Sequence, residues 1–309
     1  MHKIMSDKSV ESSKTMHPIK RYTSLNDAVC DIYGNSRMIH SKRNISGGDI
    51  NKALLLTLDD GTNLFMKANT SGFLPCFEAE KEGLEEIRKT NTVSTPEILG
   101  LGTDGNSSFL LLEYITDAKQ VRDYWETFAA ELAAMHRTDV GNSYGFLHDN
   151  WIGAGKQINT YHDSWISFFL DCRLKPQLKA ADSYFSAEER RQTEYLLSHL
   201  DSYLQEPDRP SLIHGDLWAG NMITGNDGKG WLIDPAVYYG HPEADLAMTE
   251  LFGGFSMSFY ETYRDIMKLE PGYEDRRNLY NLYHLLNHLN LFGSGYLSSV
   301  RRILKRYAG

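Results

Sequence analysis

The chain has 309 residues, 41% hydrophobic and 24% charged, enough for two lobes around a substantial core. Its net charge of -9 argues against nucleic acid or an anionic membrane as partner, since both are held mainly by cationic surface. Three scattered cysteines, Cys30, Cys76 and Cys172, have no metal spacing and point to a reducing cytoplasm.

Residues 1–20 are polar and aperiodic and read as a tail, with neither a signal-peptide core nor a transmembrane run after them. A short helix is expected over Leu25–Tyr33. Strand-like segments follow at Arg37–Ser46 and Lys52–Leu58, then the Asp-Gly turn of Asp59–Asn63 and a strand over Leu64–Ala68. This is an antiparallel meander, and it puts Lys67 near a strand end. Phe77–Lys89 is a charged amphipathic helix with Phe77, Leu84 and Ile87 as its apolar stripe.

Gly100, Gly102 and Gly105 make a formal G-x-G-x-x-G. A dinucleotide fingerprint must open a helix, whereas here the β-rich run Ser108–Ile115 follows, so the segment is expected to be a hairpin.

Beyond Ile115 the pattern becomes helical, with expected helices at 121–136, 164–181 (kinked at Pro176) and 186–204 (opened by the capping box Ser186-x-x-Glu189). Further helices are expected at 243–251, 257–267 and 276–291. Between them a β-hairpin is expected over 212–233. The fold class is therefore α+β and bilobal: a β-rich N-lobe with one helix over residues 21–115, and a larger, mainly helical C-lobe over 116–309. The joint falls at Glu113–Asp117, and a cleft between lobes is the natural place for a site.

His214-Gly-Asp-Leu-Trp-Ala-Gly-Asn221 has the spacing of a kinase catalytic loop, H-R-D-L-x-x-x-N, with Gly in place of Arg. Asp216 would orient and deprotonate an attacking hydroxyl. Asn221 and Asp234 would hold Mg²⁺ on the phosphates of ATP. Taken singly, each could be a turn or cap residue; the ordered set of three favours phosphoryl transfer.

Lys67 gains meaning from Glu80, thirteen residues on, as the carboxylate that would hold it against phosphates; Glu78 competes for that role. Glu113, Tyr114 and Ile115 could offer backbone groups to adenine, or simply end a buried strand. Gly47 and Gly48 could let a turn approach phosphates or form a plain turn. Asp245 could brace the catalytic loop. Trp218 must pack on core or on substrate, the core being weighted slightly. His284 and His288 share a helix face without a third zinc ligand and read as surface or core residues.

Together these residues resemble the aminoglycoside/choline kinase group, in which H-G-D replaces H-R-D. Within that group the chain looks like the fructosamine (ketosamine-3-) kinase family. The specific blocks are GFLHDNWIGAGKQIN at 145–159, HGDLWAGN at 214–221 and LIDPAVYYGHPEADLAM at 232–248; SWISFFLDCRLKPQL at 164–178 and the N-lobe LFMKAN and CFEAE agree. The resemblance runs from about Ser24 to the C-terminus. It implies ATP-dependent phosphorylation of the 3-hydroxyl of ketosamines. The expected partner is a small-molecule or protein-linked ketosamine, and the expected state is a monomer. Many eukaryotic relatives carry a Cys after the Gly-Gly pair. This chain has Asp49, so the resemblance carries no redox control of that loop here, and the Asp49 side chain is expected to point away from the nucleotide. The alternatives are a kinase of another small hydroxyl compound, such as an aminoglycoside or choline-like alcohol, and a nucleotide-binding pseudokinase.

Overall fold

The computed structural model describes residues 20–45, 50–116 and 118–307. The tail expectation for residues 1–19 and those for Gly47, Gly48 and Asp49 lie outside the described residues.

The N-lobe is a six-stranded sheet with two helices. In chain order it runs β1 (Arg21–Tyr22), α1 (Leu25–Tyr33), β2 (Ile39–Asn44), β3 (Lys52–Leu58), β4 (Asn63–Thr70), α2 (Leu74–Lys89), β5 (Ile98–Asp104) and β6 (Ser107–Glu113). The strand order is β1-β5-β6-β4-β3-β2, antiparallel except for the parallel β1–β5 pair. Residues 98–113 thus form the expected hairpin, with Gly105 in the left-handed region at φ 59°. Gly102 serves a different need: a Cβ there would lie 2.0 Å from the Tyr22 carbonyl of β1.

Period-two alternation divides the sheet. Leu64, Met66, Phe109 and Leu111 face α1, while Leu110, Leu112 and the partly buried Phe65 pack with Phe77 and Leu84 of α2. Lys67, two residues after Phe65, therefore faces α2. It is central in β4 rather than near its end, because the strand continues to Thr70. That position leaves it only 7% exposed.

The C-lobe begins with α3 (Tyr124–His136) and the hairpin β7 (Asn150–Ile152) and β8 (Gly155–Gln157). A distorted helix follows: α4 (Trp165–Phe168), a π-helical turn Phe169–Leu174, and α5 (Lys175–Ala180). The irregularity precedes Pro176 instead of being a simple kink at it. Pro176 has no N–H for the carbonyl of Cys172, and Arg173 Nη1 donates to that oxygen at 3.0 Å. Next come α6 (Ala187–Ser198), with both halves of the capping box on Ser186 and Glu189, β9 (Ser211–Ile213), β10 (Met222–Thr224), β11 (Gly230–Leu232) and β12 (Tyr238–Gly240). The chain ends in α7 (Pro242–Leu251), α8 (Met257–Met267), α9 (Tyr273–Phe292) and α10 (Leu297–Tyr307).

The expected single hairpin over 212–233 is two ribbons: β9 pairs with β12, and β10 with β11. A tight turn at Ala219–Asn221 folds Met222–Thr224 back as the partner of β11, so the buried β9 pairs with a strand lying beyond Asp234. Helix α10 was not anticipated, although Val300, Ile303, Leu304 and Tyr307 form its buried stripe. No helix among the described residues is long and apolar enough to cross a membrane.

At the start of α7, His241 Nδ1 accepts from the backbone N–H of Glu243 at 3.1 Å, and its ring packs on Trp165 and Tyr280. Burial lowers its pKa to about 4. The unfolded chain therefore takes up this proton first, and stability is lost as pH falls below the ordinary histidine range. The His241→Asn variant, which keeps a capping oxygen, should gain on the wild type by ~1.4 kcal/mol for each pH unit between about 6.5 and 4. Urea midpoints at several pH values measure this; a difference that does not vary with pH contradicts it.

Candidate active site

β9 delivers the chain into the His214–Gly215–Asp216 turn. Gly215 has φ 81°, and an added Cβ would meet the Ala236 carbonyl at 2.1 Å, so only glycine fits. Asp245 of α7 holds the turn: its Oδ2 accepts from His214 N at 2.6 Å and its Oδ1 from Gly215 N at 2.9 Å. His136 Nε2 lies 3.2 Å from Oδ2. Burial opposes the Asp245 charge, but the bonds from His136 and His214 outweigh it and keep the carboxyl below its usual range. The bracing role expected of Asp245 is what the geometry shows.

His214 is neutral, pushed down by burial. Its Nε2–H donates to Ile233 O at 2.9 Å, which leaves Nδ1 to accept from Asp216 N at 3.3 Å. One imidazole thus ties the strand before Asp234 to the loop that carries Asp216. Asn221 Nδ2 donates to Asp216 O at 2.9 Å and Oδ2 at 3.0 Å. Burial raises Asp216 to about 7, against the lowering bond from Asn221. Asp234 occupies the left-handed region at φ 54°, an uncommon conformation that turns its carboxylate into the cleft.

Lys67 is the bridge between lobes. Its Nζ lies 2.6 Å from Glu80 Oε1 and also contacts Asp234 Oδ1. Burial alone would lower the Lys67 pKa, but Asp234 and Glu80 together hold it above the ordinary lysine range. Glu78 is instead paired with Arg21, so Glu80 is the partner.

These groups open onto a cleft of about 1160 Å³. Ala53, Phe65, Lys67, Glu113, Tyr114 and Ile115 line one end. The Glu113 carboxylate is engaged with the Glu97 N–H at 2.6 Å, so the groups it can offer the cleft are backbone ones. Trp218, Phe252, Asn287, His288 and Phe292 line the other end with Asp216. Trp218 is 38% exposed at this wall rather than in the core, lying edge-on to Phe252, whose ring stacks on His288. Gly220 makes that placement possible, since a Cβ there would overlap the Trp218 ring. Phe252, Asn287 and Phe292 were missed by sequence reasoning, and His288 was set aside. The available signal was the cleft-facing series 287, 288, 291 on one helix. His284, one turn before His288, is buried with its Nδ1 3.9 Å from Asp216 Oδ1.

The donor set fits a magnesium ion brought by a nucleotide. Asn221 has its amide nitrogen pinned by Asp216, leaving Oδ1 as its available oxygen. The Asp234 side chain is 41% exposed toward the cleft. No cluster of three or more His, Cys, Asp or Glu able to hold a metal occurs among the described residues. One carboxylate and one amide oxygen are too few for an all-protein cage and are what an ion sharing its shell with phosphates and water requires.

A β-rich lobe with a buried Lys–Glu pair, facing a helical lobe with an HGD turn, defines the protein-kinase-like phosphotransferases. The fructosamine kinase family model matches residues 22–308, and the chain belongs to that family. It is 39% identical over 274 residues to the probable ketoamine kinase of Synechocystis, covering 88% of this chain and 92% of that one. It is 38% identical over 278 residues to the chloroplastic protein-ribulosamine 3-kinase of Arabidopsis thaliana, covering 89% and 84%. The crystal structure of a "putative fructosamine-3-kinase" from Haemophilus somnus superposes with TM-score 0.83 at 29% identity, covering 92% and 96%.

If Asp245 holds the turn, Asp245→Ala leaves two buried backbone N–H groups without their acceptor. The variant should lose about 3 kcal/mol or more in urea unfolding. A loss below ~1 kcal/mol would show that the turn is held otherwise.

Proposed function

We propose that the protein transfers the γ-phosphoryl group of ATP to the 3-hydroxyl of ketosamines, with ribulosamine and erythrulosamine adducts ahead of fructosamine, free or protein-linked. The observation that carries the reading is the convergence of Asp216, Asn221, Asp234 and Lys67 on one cleft whose far wall is aromatic. Family membership and the relatives named above support the acceptor class.

In this reading the backbone at Glu113, Tyr114 and Ile115 meets the adenine. Lys67, steadied by Glu80, is directed at the phosphates. Asn221 and Asp234 would hold Mg²⁺, which when bound supplies neutralising charge on the phosphate oxygens. Asp216 accepts the proton of the 3-hydroxyl as that oxygen bonds to the γ-phosphorus and the bond to the β-phosphate oxygen breaks. Trp218 presents its ring to the acceptor. The 3-phosphate product is unstable and releases the amine, which makes the reaction a deglycation step. The expected state is a monomer in a reducing cytoplasm, a setting that suits the free Cys30, Cys76 and Cys172.

The aromatic lining beside Asp216, from Trp218, Phe252 and Phe292, favours a ketosamine over a multiply cationic aminoglycoside. A pseudokinase would have no need for the Asp216 base.

Coupled ATP consumption should be seen with ribulosamine- and erythrulosamine-lysine, less with fructosamine-lysine, and not with choline or kanamycin. Preference for either control would replace the ketosamine reading. Asp216→Asn should lower kcat by roughly 10²–10⁴ with Mg-ATP affinity nearly unchanged; retained turnover would remove Asp216 from the mechanism. Calorimetry on Asp234→Ala should show magnesium-dependent nucleotide binding lost, and unchanged affinity would remove Asp234 as the metal ligand.

A further inference from the structure

Asp216 Oδ2 has its donor in Asn221, but Oδ1 is buried and without a hydrogen-bond partner among the described residues. The nitrogen set against it is His284 Nδ1, 3.9 Å away, itself buried and equally unpartnered. Two orphaned atoms of complementary character, facing each other out of reach of water, are costly to keep unless they pair at some stage of the cycle.

The position of His284 is imposed by its neighbours on α9. Tyr283 OH donates to Gln157 Oε1 at 2.6 Å, and Asn287 Oδ1 accepts from Gln177 Nε2 at 3.3 Å. The imidazole is therefore delivered to the back of the catalytic loop by bonds on both sides of it. Burial keeps it neutral, its pKa lowered to about 3, so it carries one N–H and no charge.

We infer that His284 is a positioning residue for Asp216, its Nδ1–H donating to Oδ1 while Asn221 holds Oδ2, so that the plane of the carboxylate is fixed toward the acceptor hydroxyl. A closure of about 1 Å brings the pair to hydrogen-bond distance. Catalytic hydrogen bonds commonly tighten in this way when substrates load. A neutral donor suits the task, because a charged imidazolium would compete with the hydroxyl for the base. The inference rests on the kinase reading for its catalytic consequence but not for the contact itself.

The test compares His284→Phe, which keeps a ring and loses the N–H, with His284→Asn, whose amide nitrogen can take the place of Nδ1. His284→Phe should lower kcat roughly 10- to 100-fold, the range of a hydrogen bond to a charged group, with the KM for ATP unchanged. His284→Asn should recover most of that loss. In an Asp216→Asn background, His284→Phe should cost nothing further. Wild-type kcat in the Phe variant, no recovery in Asn, or additive losses in the double variant would each overturn the inference.

A second readout needs no acceptor. The holoprotein with Mg-ADP should show a low-field imidazole N–H proton resonance that is absent from His284→Phe and shifted in Asp216→Asn. A wild type that turns over no ketosamine but shows this resonance refutes the function and keeps the contact. Turnover without the resonance does the reverse.

Discussion

Lys67 sits almost without solvent between two carboxylates that come from different lobes, Glu80 of α2 and Asp234 after β11. A buried ammonium is tolerable only when paired, so the cation fixes where both carboxylates must stand. The β4 alternation aims it, since residues 65 and 67 share the face covered by α2. Glu80 then follows from the helix laid across that face. Asp234 completes the set from the other lobe, and the cleft exists where these three meet.

The opposite side of the cleft is built on a single carboxylate. Asp245 takes the N–H groups of His214 and Gly215, and His214 in turn bonds Ile233 next to Asp234. Asp216 and Asp234 are thus referenced to one another through the His214 ring. Gly215 and Asp234 both have positive φ, and both positions turn the chain sharply where a carboxylate, Asp216 or Asp234, faces the cleft. The aromatic wall of Trp218 and Phe252 closes this arrangement, with Gly220 giving the indole its room.

Much of the fold was legible because its signals are local. The Asp-Gly turn, the amphipathic stripe of α2 and the capping box of α6 each follow from a few neighbouring residues, and the structure has all three. The kinase-like spacing from His214 to Asp234 singled out Asp216, Asn221 and Asp234, which line one cleft, and Glu80 was chosen over Glu78 on the side its neighbours face. What failed was long-range. The pairing of β9 with β12 joins three-residue strands across the whole catalytic segment, too short to show a pattern. The irregular turn before Pro176 depends on Arg173 capturing a carbonyl. His284, His288 and Asn287 look like ordinary helix residues until α9 is packed beside the loop. Trp218 was weighted toward the core because large aromatics usually belong there, whereas the packing of Gly220 holds it at the wall.

Transfer of the γ-phosphoryl group of ATP to the 3-hydroxyl of a ketosamine is tested most directly by phosphorus NMR with mass spectrometry of the product from ribulosamine-lysine and Mg-ATP. The expected product is a phosphomonoester on O3 that decays with release of free lysine. Phosphate found on another hydroxyl, or ATP split only to inorganic phosphate, would contradict it.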